Sequence, residues 1–239
     1  MSDQSGLPPM MPLGAPPPSP YAPGWSWSQT WIKALTQPNV ATFEQIANDA
    51  PPDSYSKALT WIFAATLVSG LINVVVGLVF SSAARFSNVR GIDPATLQGT
   101  STVVSLICVP VIGLISVIIT AIIVGITHLV ARALGGTGTY NKLIYTTAAY
   151  SAPLTIVSSL IGVIPVVGAC VNLILGIYGL VLNVTSVKAV HQFDWGKAIL
   201  SSVVIWIGLL VLVAVILIVV LALLGPSIGN IFSNIVQGL

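Results

Sequence analysis

Residues 209–224 read LLVLVAVILIVVLALL, and this stretch decides the fold class of the chain. All sixteen residues are apolar, so the stretch lacks the alternation of apolar and polar residues that is typical of a membrane β-strand. A helix is the other structure that satisfies every backbone N–H and C=O group inside lipid. The stretch therefore predicts a membrane-spanning helix.

Three further long intervals without Asp, Glu, Lys or Arg precede it, at residues 58–84, 94–131 and 143–187. A spanning helix needs about 20 apolar residues at a rise of about 1.5 Å each. As a single helix the third interval would extend over about 67 Å, roughly twice the thickness of a bilayer core, so it must turn. The segment GVIPVVG at residues 162–168 supplies the glycine and proline for that turn.

These intervals predict an all-α fold, a polytopic membrane helical bundle with five transmembrane helices. The fifth span offers almost only aliphatic side chains, so we expect it to lie at the periphery of the bundle, in contact with lipid. The predicted spans are 58–82, 104–131, 143–162, 166–188 and 198–224.

The composition supports a membrane protein over other classes. Of 239 residues, 8 are Lys or Arg and 6 are Asp or Glu, so only 6% are charged, and the mean hydropathy is +0.98. A soluble domain is about 25% charged, so a soluble globular protein, a nucleic-acid-binding protein and a disordered chain are all poor interpretations. Cys108 and Cys170 lie in apolar runs, which predicts neither a disulfide framework nor a metal site.

The basic residues predict the orientation of the chain. With five spans, the side of the N-terminus receives six of them and the other side receives two, and cytoplasmic connections carry the excess of Lys and Arg. We therefore expect a cytoplasmic N-terminus and a C-terminus outside, with no cleavable signal peptide. The six are Lys33, Lys57, Arg132, Lys142, Lys188 and Lys197, and the two are Arg85 and Arg90.

The N-terminal region divides into a tail and two short helices. Residues 1–24 hold eight of the sixteen prolines and are predicted to be a disordered, Pro-rich tail. Residues 25–57 are predicted to form two short helices, the second starting at Thr42 with Gln45 completing a capping box. They serve either as a cytoplasmic docking platform or as interfacial helices, in which Trp27 and Trp31 would be the anchors.

The chain after residue 57 divides once more. Residues 58–224 are predicted to be the five-span membrane domain. Gly225 and Pro226 predict a helix stop, so residues 225–239 are expected to form a separate amphipathic tail.

Small and polar residues recur at three- and four-residue spacing within the spans. Helices in lipid associate through such residues, which allow close approach and interhelical hydrogen bonds, so we expect Gly176→Leu to disrupt folding. The alternative is a substrate path in a small transporter or channel component, but the span cores carry no ionisable residue of the kind such paths use. The predicted helix-packing residues are Asn73, Gly77, Asn172, Gly176, Gly179 and Asn183.

The candidate chemical groups predict no catalytic site, no metal site and no cofactor. His128 and Arg132 share a helical face at the end of the second span, while His191 and Asp194 lie in the last cytoplasmic loop. This is a thin set for acid–base or metal chemistry, and we expect His128 and Arg132 to be interfacial anchors. The segment GGTG at residues 135–138 lacks the Lys-Ser/Thr of a phosphate loop and is predicted to be a tight turn.

Several segments in order resemble the Yip family, the Ypt/Rab-GTPase-interacting membrane proteins with five spans. The likeness covers about residues 25–224 and implies a role in vesicle trafficking for eukaryotic members, which bind small GTPases through the cytoplasmic region. The short, simple tail favours a prokaryotic-type relative in a cell membrane. The segments are WIKALTQP (31–38) with Phe43, HLVARALGGTGTY (128–140), AAYSAP (148–153), IPVVG (164–168) and VKAVH (187–191).

The sequence thus predicts a non-enzymatic scaffold or adaptor in the membrane. Its expected partners are the lipid bilayer and an unidentified membrane or cytoplasmic protein, with no nucleic acid, and a homo-oligomer is compatible with the sequence.

Overall fold

The computed structural model describes residues 25–83, 94–164 and 166–237, and within these ranges it contains helices and no strands. The Pro-rich tail predicted for residues 1–24, together with Arg85, Arg90 and Pro165, lies outside the described residues. The helices are α1 (Trp27–Thr36), α2 (Val40–Asn48), α3 (Ser54–Ala83), α4 (Pro94–Ala133), α5 (Tyr140–Ile161), α6 (Val167–His191) and α7 (Trp195–Gln237).

Helices α3 to α7 are each long and apolar enough to cross a membrane. The predicted all-α bundle with five transmembrane helices is confirmed, as is the turn between the third and fourth spans, because α5 ends at Ile161 and α6 begins at Val167. The spanning segments are Ser54–Val79, Thr102–Ala133, Tyr140–Ile161, Val167–His191 and Trp195–Pro226.

One helix boundary predicted at a proline is wrong. Helix α7 runs through Pro226 to Gln237, so residues 225–226 are not a helix stop. A proline removes a single backbone donor, and neighbouring groups in a membrane helix compensate for it. Helix α4 begins at Pro94, where a proline at the first helical position loses no hydrogen bond. Its membrane-spanning part, Thr102–Ala133, contains the predicted span 104–131.

The start of α2 also differs from the prediction. The helix begins at Val40, and the side chain of Asn39 accepts a hydrogen bond from the N–H of Thr42 at 2.8 Å. Thr42 is therefore the residue that is capped and not the cap. Helix α1 has the reciprocal capping box, since Ser26 and Gln29 each accept from the backbone of the other.

The chain direction alternates, so one end of the bundle collects α1, α2, the loop at 134–139 and the loop at 192–194. We call α1 and α2, residues 27–48, the arm, and this end of the bundle the arm end. Two contacts between distant segments show that these elements lie together at the arm end. Lys142 Nζ lies 3.1 Å from Asn48 Oδ1, and His128 lies beside His191.

The buried core lies in the half of the bundle next to the arm. Residues 143–150 of α5 are all buried there, and they pack against the arm, α3 and α6. In contrast, none of the side chains that the structure describes in the most apolar window of α7 is buried. The predicted peripheral position of the fifth span is therefore confirmed.

Candidate functional site

The arm is held on the bundle by an apolar contact centred on Phe43. The side chains of Phe43 and Ile46 are buried, with exposed fractions of 0% and 1%. The ring of Phe43 meets the ring of Tyr150 edge-on, with centroids 6.0 Å apart. Ala34 of α1 and Leu182 of α6 belong to the same buried cluster, so both arm helices share a core with α5 and α6.

A row of four aromatic rings connects α1 to α3 and α5. The centroid distances are 5.1 Å from Trp27 to Trp31, 5.8 Å from Trp31 to Trp61, and 5.1 Å from Trp61 to Tyr145. At the outer end of the row, Trp27 is 61% exposed. An indole with one solvent-exposed side and one apolar side suits a membrane interface or a protein interface. The anchoring role of Trp27 and Trp31 stays a prediction.

Polar contacts complete the attachment of the arm. The hydroxyl of Tyr178 in α6 donates a hydrogen bond to the carbonyl oxygen of Leu35. The ammonium group of Lys142 in α5 donates to the side-chain oxygen of Asn48. Each bond joins one arm helix to one spanning helix, so each arm helix is attached to the bundle near its C-terminal end.

The loop at residues 134–139 wraps around the end of α6. Gly135 has a φ of +92°, which glycine adopts without steric cost. The N–H of Thr137 donates to the carbonyl oxygen of His191 at 3.2 Å. A Cβ built at Gly136 would lie 2.5 Å from Nδ1 of His191, so the glycine allows the loop to close over the imidazole. This is the tight turn predicted for GGTG.

His128 and His191 are brought together from α4 and α6. Nδ1 of His128 and Nε2 of His191 are 3.4 Å apart, and the ring centroids are 5.2 Å apart. His191 is 1% exposed and stacks on Phe193 at 5.6 Å, and its Nδ1 has no hydrogen-bond partner among the described residues. Arg132, one turn beyond His128, is exposed.

The histidine pair supports a structural contact between helix ends. Asp194, the acid expected beside the pair, is exposed just before α7. Within the described ranges no group of three His, Cys, Asp or Glu side chains is placed to hold a metal ion. Metal binding and acid–base chemistry normally need more groups than two imidazoles, including a carboxylate that orients them, and the described residues place none beside this pair.

The six predicted helix-packing residues divide into three situations. Gly179, Asn172 and Asn183 face α5: a Cβ at Gly179 would lie 3.1 Å from Leu154, and the two amides donate to the carbonyl oxygen of Ser158 at 3.2 Å and to the hydroxyl of Tyr150 at 3.0 Å. Asn73 donates within its own helix, to the carbonyl oxygen of Ser69 at 2.8 Å.

Gly77 and Gly176 do not lie at a close helix contact with any described residue. A Cβ built at either position meets no described atom within 4 Å. The expected disruption by Gly176→Leu therefore has no basis in packing among the described residues. Helix packing at these two glycines stays a prediction.

Sequence reasoning missed the aromatic residues that receive the arm. Tyr150 and Tyr178 lie in long apolar spans, where a single tyrosine gives no periodic signal, and Trp61 follows the predicted start of the first span by three residues. A tyrosine hydroxyl within an apolar span is the sequence feature that could have indicated these contacts, because a buried tyrosine hydroxyl needs a hydrogen-bond partner.

A groove of about 820 Å³ opens sideways between α5, α6 and α7. Its lining contains four of the six residues predicted either to pack or to line a substrate path, together with Ser158 and Trp206. The four are Asn172, Gly176, Gly179 and Asn183.

A model of the Yip1 domain family matches residues 32–217. The match begins within α1 and ends within α7, so it includes most of the arm, both loops of the arm end, the first four spanning segments and most of the fifth. The resemblance found in the sequence is thereby confirmed. Neither a curated protein nor a solved structure matches the chain.

Proposed function

Since this chain belongs to the Yip1 domain family, and since its arm is packed onto the bundle, we propose that it is a non-enzymatic membrane scaffold. The surface of the arm end is its docking site for a protein partner. The observation that supports this proposal is the complete burial of Phe43 beneath the arm. A buried anchor gives the arm a fixed position, and a preformed surface costs less free energy to bind than a mobile one.

The exposed side of α1 supplies anchors for such a contact. Trp27 and Ile32 are each 61% exposed, and Nζ of Lys33 lies 3.4 Å from the ring centroid of Trp25. Interfaces are enriched in aromatic residues, with apolar anchors surrounded by polar groups. The supporting row from Trp31 to Tyr145 keeps the outer indole in place.

We infer that the arm end faces the cytoplasm of a prokaryotic cell. Every basic residue in the described ranges lies on this side of the chain: on the arm, in the first turn of α3, or at the ends of α4 to α7. Cytoplasmic connections carry the excess of basic residues. The scaffold role then implies a cytoplasmic or membrane-bound partner.

Labelling of single cysteines tests the orientation. Ala41 in the arm and Ile164 in the turn between α5 and α6 are both exposed and lie at opposite ends of the bundle. With Cys108 and Cys170 replaced by alanine, we expect Ile164→Cys to react with an impermeant maleimide in intact cells and Ala41→Cys to react only after permeabilisation. The reverse pattern would place the arm outside.

Site-specific photo-crosslinking tests the docking role. We expect a photoreactive residue at Ile32 to capture one defined protein in native membranes, and the matched position Leu217 on α7, which is 56% exposed, to capture lipid only. The capture should also disappear when Phe43→Ala releases the arm. Equal capture from both positions, or capture of lipid alone from Ile32, would contradict a docking surface.

A small transporter or channel component is the second candidate, and the groove between α5, α6 and α7 is the observation that favours it. Its amide and hydroxyl groups could hold an uncharged polar solute. Saturable solute flux through the purified protein in liposomes would favour this function. The absence of flux for every solute in a panel would favour the scaffold.

A further inference from the structure

The basic side chains in the described ranges differ in whether the protein itself provides them with a partner. Arg132 and Lys197 are both exposed, and neither side chain has a hydrogen bond, an ion pair or a ring contact with another described residue. Each of the others has a carboxylate, an oxygen acceptor or an aromatic ring as its partner. These others are Lys33, Lys57, Lys142 and Lys188.

Arg132 and Lys197 lie at one seam of the bundle, where the end of α4 packs against the start of α7. Their neighbours in the chain, Ala131 and Ala198, are fully buried in the same apolar cluster. The N–H of Gly135 donates to the carbonyl oxygen of Arg132 at 3.0 Å, and a Cβ built at Gly135 would lie 3.9 Å from Nζ of Lys197. The ammonium group of Lys197 therefore reaches across the seam to the turn that follows Arg132. We call this place the α4–α7 seam.

The positive charge at the α4–α7 seam is not balanced by the described residues. Asp194 precedes Lys197 by three residues and is exposed, but it forms no ion pair with either cation. His128, one turn before Arg132, adds no negative charge. Two positive charges at one turn repel each other, so an anion between them would stabilise the pair. Gly135 is exposed and has no side chain, which leaves the backbone of this turn open to such an anion.

The level of the seam in the membrane indicates where the anion comes from. The spanning segments that meet here are Thr102–Ala133 and Trp195–Pro226, so at about 1.5 Å per residue both cations lie within about 3 Å of the end of a span. Phospholipid headgroups lie at this level. Trp195 is 50% exposed, and tryptophan is enriched where a helix enters the headgroup region. An anionic headgroup thus reaches the seam without leaving the bilayer.

Each helix of the seam also presents an apolar side chain one turn deeper than its cation. On α4 it is Leu129, which is 68% exposed and precedes Arg132 by three residues. On α7 it is Leu200, which is 50% exposed and follows Lys197 by three residues. Residues three apart share a helical face. Because α4 ends and α7 begins at the arm end, both leucines lie toward the middle of the membrane, below the charges.

We propose that the α4–α7 seam is a binding site for one anionic phospholipid. The phosphate lies between the guanidinium group of Arg132 and the ammonium group of Lys197, since both cation types bind phosphate, and the acyl chains run along Leu129 and Leu200. The site goes beyond an anchoring role for Arg132 alone, because it requires a lysine from another helix. The proposal does not depend on the scaffold role, since neither helix of the seam belongs to the arm.

Lipid retention by the full-length protein tests the site. The detergent-purified protein is mixed with equal amounts of phosphatidylglycerol and phosphatidylcholine that have identical acyl chains, and bound lipid is measured by native mass spectrometry. We expect one phosphatidylglycerol to be retained in preference to phosphatidylcholine. Arg132→Gln and Lys197→Gln should each weaken its binding about 5-fold, because each basic residue near an anionic lipid surface contributes an amount of this order.

Lys57→Gln is the matched control. It removes one positive charge at the same end of the bundle, but the ammonium group of Lys57 is already paired with Asp53 at 3.0 Å. We therefore expect binding to change by less than about 2-fold. All three substituted side chains are exposed, so the unfolding midpoint of each variant in detergent should stay close to that of the wild type.

Competition distinguishes a lipid site from a site for an anion in solution. Inorganic phosphate should not displace the bound phosphatidylglycerol, because it lacks the acyl chains that contact the two leucines. Displacement by inorganic phosphate, equal retention of the two lipids, or a loss of binding in Lys57→Gln equal to that in Arg132→Gln and Lys197→Gln would each overturn the proposal.

Discussion

Replacement of Gly138 by alanine is expected to destabilise the protein more than any other methyl addition in the arm end. A Cβ at this position would overlap the carbonyl oxygen of Val190 and would lie 2.6 Å from its Cγ1. The obstructing oxygen belongs to the backbone of α6, so it cannot turn away as a side chain would. Overpacking of a dense region typically costs about 1–3 kcal/mol.

The matched control for Gly138→Ala is Gly176→Ala. A Cβ at Gly176 meets no atom of the described residues within 4 Å, and alanine favours a helix over glycine by about 1 kcal/mol. In thermal unfolding of the detergent-purified protein, Gly138→Ala should lower the midpoint by several degrees and reduce the yield of monodisperse material. Gly176→Ala should leave both unchanged or improved. Equal midpoints for the two variants would show that the loop at 134–139 does not close on α6.

Phe43→Ala is expected to release the arm from the bundle. The side chain is 0% exposed and packs against Tyr150, and truncation of a buried phenylalanine typically costs about 3–5 kcal/mol. The other attachments of the arm, the aromatic row and the hydrogen bonds from Tyr178 and Lys142, do not replace this buried anchor, so the loss should appear as local opening before global unfolding. We therefore expect faster proteolysis in the connection at residues 49–53, along with a lower unfolding midpoint.

The control for this variant is Ile32→Ala. Ile32 lies on the same arm but is 61% exposed, and substitutions at such surface positions usually change stability by less than about 0.5 kcal/mol. Its cleavage rate should match that of the wild type. If Phe43→Ala were cleaved no faster than Ile32→Ala, the arm would not depend on this contact, and the basis of the proposed docking surface would be lost.

Much of the fold could be predicted because lipid imposes its requirements on each segment separately. A length of about 20 apolar residues, the absence of charges and a glycine–proline break are all local properties. These local properties were enough to predict the five spans, the turn after Ile161 and the peripheral position of α7. The start of α2 was misplaced because Asn39 and Thr42 are both capping residues, and Asn39 is the one that caps the helix. The stop at Pro226 was wrong because a proline does not always end a membrane helix.

The sites depended on contacts that no local pattern contains. His128 and His191 are 63 residues apart in the chain, and Phe43 meets Tyr150 across a still longer separation. Gly176 and Gly179 are three residues apart on one helix, yet only Gly179 touches α5. The sequence by itself determined which segments are helices in the membrane, because burial in lipid acts on one segment at a time. The tertiary structure alone decided which small residues are packed, because a contact requires the rotation and crossing angle of two helices at once.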